Sequence, residues 1–141
     1  MAEHSAVVKQ IEGITFVGKT DSNHWVPMDG PENFGGSNAG IRPKELLLLS
    51  LAGCTGADVA AILSKKRAVY ENLEIRISAE STDTHPKVYT KINLEYIITG
   101  NEIKEKDFVR AIELSQNTYC GVTAMLSKSI DITYTYKIIE N

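Results

Sequence analysis

The chain has 141 residues, 43% hydrophobic and 23% charged, an ordinary globular balance. It predicts one domain, 1–141, and excludes a largely disordered or collagen-like chain. Fifteen Lys and Arg against 18 Asp and Glu give a net charge of −3, so the electrostatic footprint of a nucleic-acid binder is missing and no nucleic acid is expected as a partner.

The first residues, MAEHSAVVKQ, carry an early acid and neither a basic start nor an apolar run, unlike a signal peptide. Residues 5–29 favour strands: Ala6-Val7-Val8, Ile14 to Val17 and Trp25-Val26, with Gly13 and Asp21-Ser22-Asn23 as turns. Two or three antiparallel strands are expected. Residues 29–41, DGPENFGGSNAGI, hold four glycines and a proline and read as a loop, either a functional lid or a plain linker.

Residues 43–67 read as a helix. Pro43 suits its first position, Glu45 its first turn, and Lys65, Lys66 and Arg67 its last. Its middle is apolar on every side, which predicts burial on every side. One 15.5 kDa subunit cannot supply that cover, so a partner subunit is expected to cover part of it. The longest apolar run, Leu46 to Leu49 with Leu51 and Ala52, falls short of the roughly 20 residues that span a bilayer, and no membrane partner is expected.

Residues 72–80 and 87–99 alternate apolar and polar positions and predict two long strands joined at His85-Pro86. A second helix is expected over 103–119, with Ile103, Phe108, Val109, Ile112 and Tyr119 as its apolar stripe and Gly121 as its break. A short helix over 122–128 and a strand over 130–139 complete an α+β fold with an antiparallel sheet.

Two cysteines, Cys54 and Cys120, are too few for a disulfide framework. A cytoplasmic location is expected, where paired thiols are more often catalytic, redox-sensing or metal-binding than structural. The commonest role of a free cysteine is a small buried hydrophobe. Against it, Gly53 and Gly56 flank Cys54 at a helix cost of about 1 kcal/mol each, which suggests a close approach to the backbone. A reactive thiol needs a nearby cation or a helix N-terminus. Cys54 lies too deep in its helix for the terminal dipole, and its neighbours at i±4 are Ser50 and Asp58. Asp58 opposes a thiolate; it is expected to accept a hydrogen bond from the partner chain rather than face the thiol. An activating charge must come from another element or subunit, with Arg42 and the N-terminal lysines as candidates upstream. Arg42 and Glu45 are read either as a salt bridge at the site entrance or as ordinary helix-start charge. Tyr119 is read as a pocket residue or as core. His4, His24 and His85 are scattered, with no metal-binding spacing, and neither a phosphate-binding nor a dinucleotide-binding motif occurs, so no metal and no cofactor is predicted.

Three segments in order carry a resemblance. RPKELLLLSLAGCTGADVAAILSKKR resembles the central-helix motif of the OsmC/Ohr family of osmotically inducible and organic-hydroperoxide-resistance proteins. HPKVYTKINLEYIITG resembles the family's long strand pair, and YCGVTAML its second-cysteine motif. The resemblance covers roughly residues 40–139. It implies an OsmC-like fold, with antiparallel sheets around a long buried central helix, in an intertwined homodimer with sites at the subunit interface. It implies a thiol peroxidase of oxidative-stress defence in which Cys54 is the peroxidatic thiolate and Cys120 resolves its sulfenic acid to a disulfide. Arg42 and Glu45 are then the implied charge pair, a small organic hydroperoxide the substrate and an external dithiol the reductant. Peroxidases of the family carry a glutamate directly after the helix-starting proline and an arginine from the N-terminal strands. Here Lys44 follows Pro43, the acid is Glu45, and no arginine precedes Arg42. That pattern is closer to the OsmC-like branch, for which a redox-sensing or small-molecule-binding protein with little peroxidase turnover is the alternative reading.

Overall fold

The computed structural model describes residues 1–141, which fall into two compact units, Met1–Leu47 and Leu48–Asn141. In the first, strands β1 (Ala6–Glu12), β2 (Thr15–Thr20) and β3 (Trp25–Met28) form an antiparallel sheet in that order. Gly13 takes the positive φ that the two-residue turn between β1 and β2 demands. The sheet has almost no core of its own: every residue of β1 is exposed, and Val8, Ile11 and Trp25 lie open to solvent.

The loop 29–41 is more ordered than its composition suggests. Asp29 is 1% exposed, and its carboxylate accepts hydrogen bonds from the Thr15 hydroxyl (2.8 Å) and from the Gly30, Ser37 and Ala39 amides (2.7, 3.1 and 3.1 Å). Burial pushes this carboxyl up, but the four donors outweigh it and hold the group below the ordinary carboxylate range. A bend this tight leaves no room at Gly36, where an added Cβ would sit 2.1 Å from the Gly30 carbonyl oxygen.

A short 3₁₀ turn at Pro43–Glu45 closes the first unit and leads into helix α1 (Leu46–Lys65), which from Leu48 onward belongs to the second. Strands β4 (Asn72–Ser81) and β5 (Tyr89–Gly100) pair antiparallel. Then come α2 (Glu105–Leu114), a π-helical turn (Ser115–Tyr119), α3 (Gly121–Leu126) and β6 (Asp131–Glu140). The sheet order is β4-β5-β6, and β6 pairs parallel to β5. This corrects the expectation of a wholly antiparallel sheet. Helices carry the chain from the end of β5 back to its start, so the next strand enters in the same direction.

Alternation in β5 sends Ile92, Leu94, Tyr96 and Ile98 to one face, where they form a core with Leu51, Val59 and Leu63 of α1 and Phe108, Ala111 and Ile112 of α2. Phe108 and Ile112 belong to the predicted α2 stripe, whereas Tyr119 is exposed because the π turn rotates it away from that face.

Within one chain α1 is buried along a single stripe, Leu51, Thr55, Val59 and Leu63, at i, i+4 spacing. Leu47, Leu49, Gly53, Ala57 and Ala61 remain exposed on other faces, so the all-round burial expected from its composition is not met by the chain itself. By length and composition alone the helical segment Pro43–Lys65 would also be able to cross a membrane. The core helix of a soluble protein passes the same test.

Candidate functional site

The middle of α1, the π turn and the start of α3 bring Cys54 and Cys120 together. Both are free thiols, Cys54 half-buried and Cys120 3% exposed. The two side chains share a hydrogen bond, and the Val122 amide donates to the Cys54 sulfur. Cys120 caps α3: its sulfur accepts the Thr123 amide at 3.4 Å. Gly121 therefore opens α3 rather than breaking the helix before it.

Burial pushes the Cys54 thiol up. The Val122 amide opposes that shift, and Cys120 and Asp58 add to it. The unfavourable effect of Asp58 matches the sequence reading. Within the chain its carboxylate accepts the Ser115 hydroxyl at 2.8 Å, because the π turn lies against α1 at that level.

A buried polar network lies beside the thiols. The Thr55 hydroxyl is 2.7 Å from both the Tyr96 and the Ser115 hydroxyls, and the Gln116 amide nitrogen donates to Tyr96 (2.7 Å) and Thr55 (3.2 Å). Burial pushes the Tyr96 phenol up to about 12, so it is neutral at ordinary pH and able to donate. These residues escaped the sequence reading, although one signal was present. Thr55 is the single hydroxyl in the buried stripe of α1, and a buried hydroxyl requires a partner.

The glycines beside Cys54 have different surroundings. An added Cβ on Gly56 would lie 2.7 Å from Cδ1 of Ile75, so α1 approaches β4 there; around Gly53 nothing lies within 4 Å. Tyr119 lines a groove of about 390 Å³ with Asp58, Ala61, Ile62, Lys65, Lys66 and Leu114.

Arg42 and Glu45 belong to the first unit. Glu45 accepts the backbone amide of Arg42 at 3.1 Å, while the guanidinium donates to Asn38 Oδ1 (2.9 Å) and the Gly40 carbonyl (3.2 Å). Of the two readings of this pair, the structure has the helix-start one and no side-chain salt bridge: the acid reaches back to an amide that the helix leaves unpaired.

A family model described as OsmC-like protein matches residues 35–135. The chain belongs to the OsmC-like family. Protein YhfA of Escherichia coli K12 is 36% identical over 137 residues, covering 95% of this chain and 97% of YhfA. The crystal structure of a hypothetical protein from Aquifex aeolicus superposes with a TM-score of 0.87 at 29% identity, covering 100% of this chain and 99% of that one. The organic hydroperoxide resistance protein OsmC from Legionella pneumophila gives 0.71 at 12% identity, covering 97% and 98%, a likeness that shows the fold alone. The mixed α+β architecture, with two sheets and a long helix, is therefore that of OsmC-like proteins, which are soluble. On that ground α1 reads as a core helix rather than a membrane span.

Proposed function

We propose that this chain is a cysteine-dependent thiol peroxidase that reduces organic hydroperoxides. The observation that carries the reading is the contact between two free thiols, Cys54 and Cys120, with the Val122 amide on the Cys54 sulfur. Family membership supports it, since the OsmC/Ohr family includes proteins named for organic hydroperoxide resistance.

The Cys54 thiolate attacks the outer oxygen of the hydroperoxide, ROOH. The O–O bond breaks, Cys54 becomes a sulfenic acid, and the alkoxide takes a proton and leaves as ROH. The Cys120 sulfur then attacks the sulfenic sulfur and water leaves, which forms the Cys54–Cys120 disulfide. An external dithiol restores both thiols by exchange and is itself oxidised to a disulfide. The Val122 amide stabilises negative charge on Cys54, whereas Asp58 opposes it. Arg42 and Glu45, held by the helix-start cap rather than by a mutual salt bridge, are proposed to supply charge for the activated state. Tyr119 and the apolar residues of its groove offer a surface to the alkyl group of the substrate.

The working protein is proposed to be a cytoplasmic homodimer of one OsmC-like domain per chain. The uncovered apolar face of α1 and the exposed first sheet support that reading. One observation favours the alternative, a redox-sensing or small-molecule-binding protein with little turnover: burial and Asp58 both oppose ionisation of Cys54.

Mass spectrometry after one equivalent of cumene hydroperoxide is expected to show a 54–120 disulfide, and Cys54→Ser to abolish peroxide consumption with dithiol present. Cys120→Ser is expected to stall as a sulfenic acid. Unchanged consumption by Cys54→Ser overturns the peroxidase. A disulfide that forms once without turnover selects the sensor.

A further inference from the structure

We propose that Thr55, Ser115 and Gln116 are positioning residues that hold Cys120 at bonding reach of Cys54. This rests on reading the two cysteines as a redox pair. The hydrogen-bond directions follow from one end of the network. The Asp58 carboxylate can only accept, so Ser115 donates its hydroxyl proton to it. Ser115 must then accept from Thr55, and Thr55 from Tyr96. Gln116 donates to both Thr55 and Tyr96. Thr55 thereby uses its one donor and both acceptor positions.

Such a directed network tolerates little displacement, and it joins the two cysteines by a short path. Thr55 follows Cys54 directly in α1. Its hydroxyl holds the Ser115 side chain at 2.7 Å, while the Ser115 carbonyl accepts the Cys120 amide at 2.8 Å and closes the π turn. Gln116 fixes the same turn to Tyr96 in β5. The π turn therefore has side-chain anchors on α1 and β5 and presents Cys120 at its end. Local π geometry of this kind recurs at functional sites. Losing an anchor lets Cys120 drift, lowers its effective concentration at Cys54 and makes the disulfide easier to reduce.

The test equilibrates the full-length protein with glutathione and glutathione disulfide. Two electrons and two protons pass from the Cys54 and Cys120 thiols to glutathione disulfide, giving the protein disulfide and two glutathiones. Ser115→Ala and Thr55→Val are expected to lower that equilibrium constant at least tenfold, a rise in reduction potential of about 30 mV. Thr55→Ser keeps the hydroxyl and is expected to keep the parental potential while its melting temperature falls, which separates positioning from general stability. Gln116→Leu changes a half-buried side chain, keeps the test open if the core variants fail to fold, and is expected to shift the potential in the same direction. Parental potentials in every folded variant overturn the proposal, as does a parent that forms no 54–120 disulfide. A parent that forms it with glutathione but not with hydroperoxide loses the peroxidase reading and keeps this one.

Discussion

At the scale of the residue, Tyr96 shows how burial and polarity combine. Its ring is fully buried in the core and packs edge-on against Tyr134, while its hydroxyl enters the network beside the cysteines. The unfolded phenol ionises near 10 and the folded one near 12. Between those values the unfolded state has already released its proton while the folded state keeps it, so stability falls as pH rises. The loss by the upper end is on the order of 2 kcal/mol. Denaturant midpoints followed across this interval are expected to show the decline in the parent, and a shallower one in Tyr96→Phe, which has no phenol to ionise. An equal slope in both proteins assigns the decline to other groups.

At the scale of the element, α1 carries two assignments on one cylinder. The stripe through Leu51, Thr55, Val59 and Leu63 packs within its own chain, and Thr55 makes the polar connection to the π turn. Leu63 is 1% exposed at the far end of that stripe. Leu63→Ala is expected to cost about 2–5 kcal/mol by removing buried methyl groups and leaving a cavity. Urea unfolding checks it, and the midpoint should move with little change in slope. The π turn was not legible because a single extra residue in a helical turn leaves no periodic signature. The run from Glu105 to Tyr119 reads as one helix until Ser115 and Gln116 are seen facing Thr55 and Tyr96. Gly121 was misread for a related reason. A glycine can end one helix or open the next, and here the Cys120 cap decides for the second.

At the scale of the whole molecule, apolar surface remains where a single chain cannot cover it. Val8, Ile11 and Trp25 on the first sheet are open, as are Leu47 and Leu49 on α1, and small residues on α1 offer close approach at Gly53 and Ala57. On the proposed homodimer, a second copy covers the helix face. Ala57→Arg places a charge there without touching the buried stripe. Sedimentation velocity is expected to show dimer association at least tenfold weaker, a loss of about 1.4 kcal/mol or more. A variant dimer as tight as the parent moves the interface elsewhere.

The order of elements, the long helix over 43–67, the two alternating strands and the family itself were set by local pattern, because hydrophobic periodicity and motif order are carried by neighbouring residues. The same holds for the identities of the two cysteines and for the adverse charge of Asp58, one turn from Cys54 on the same helix. The fold alone decided that Cys120 meets Cys54, that β6 runs parallel to β5, and that Thr55, Ser115, Gln116 and Tyr96 share hydrogen bonds across three elements. Each of these depends on which faces pack together over long sequence separations, and no short-range pattern encodes such a contact.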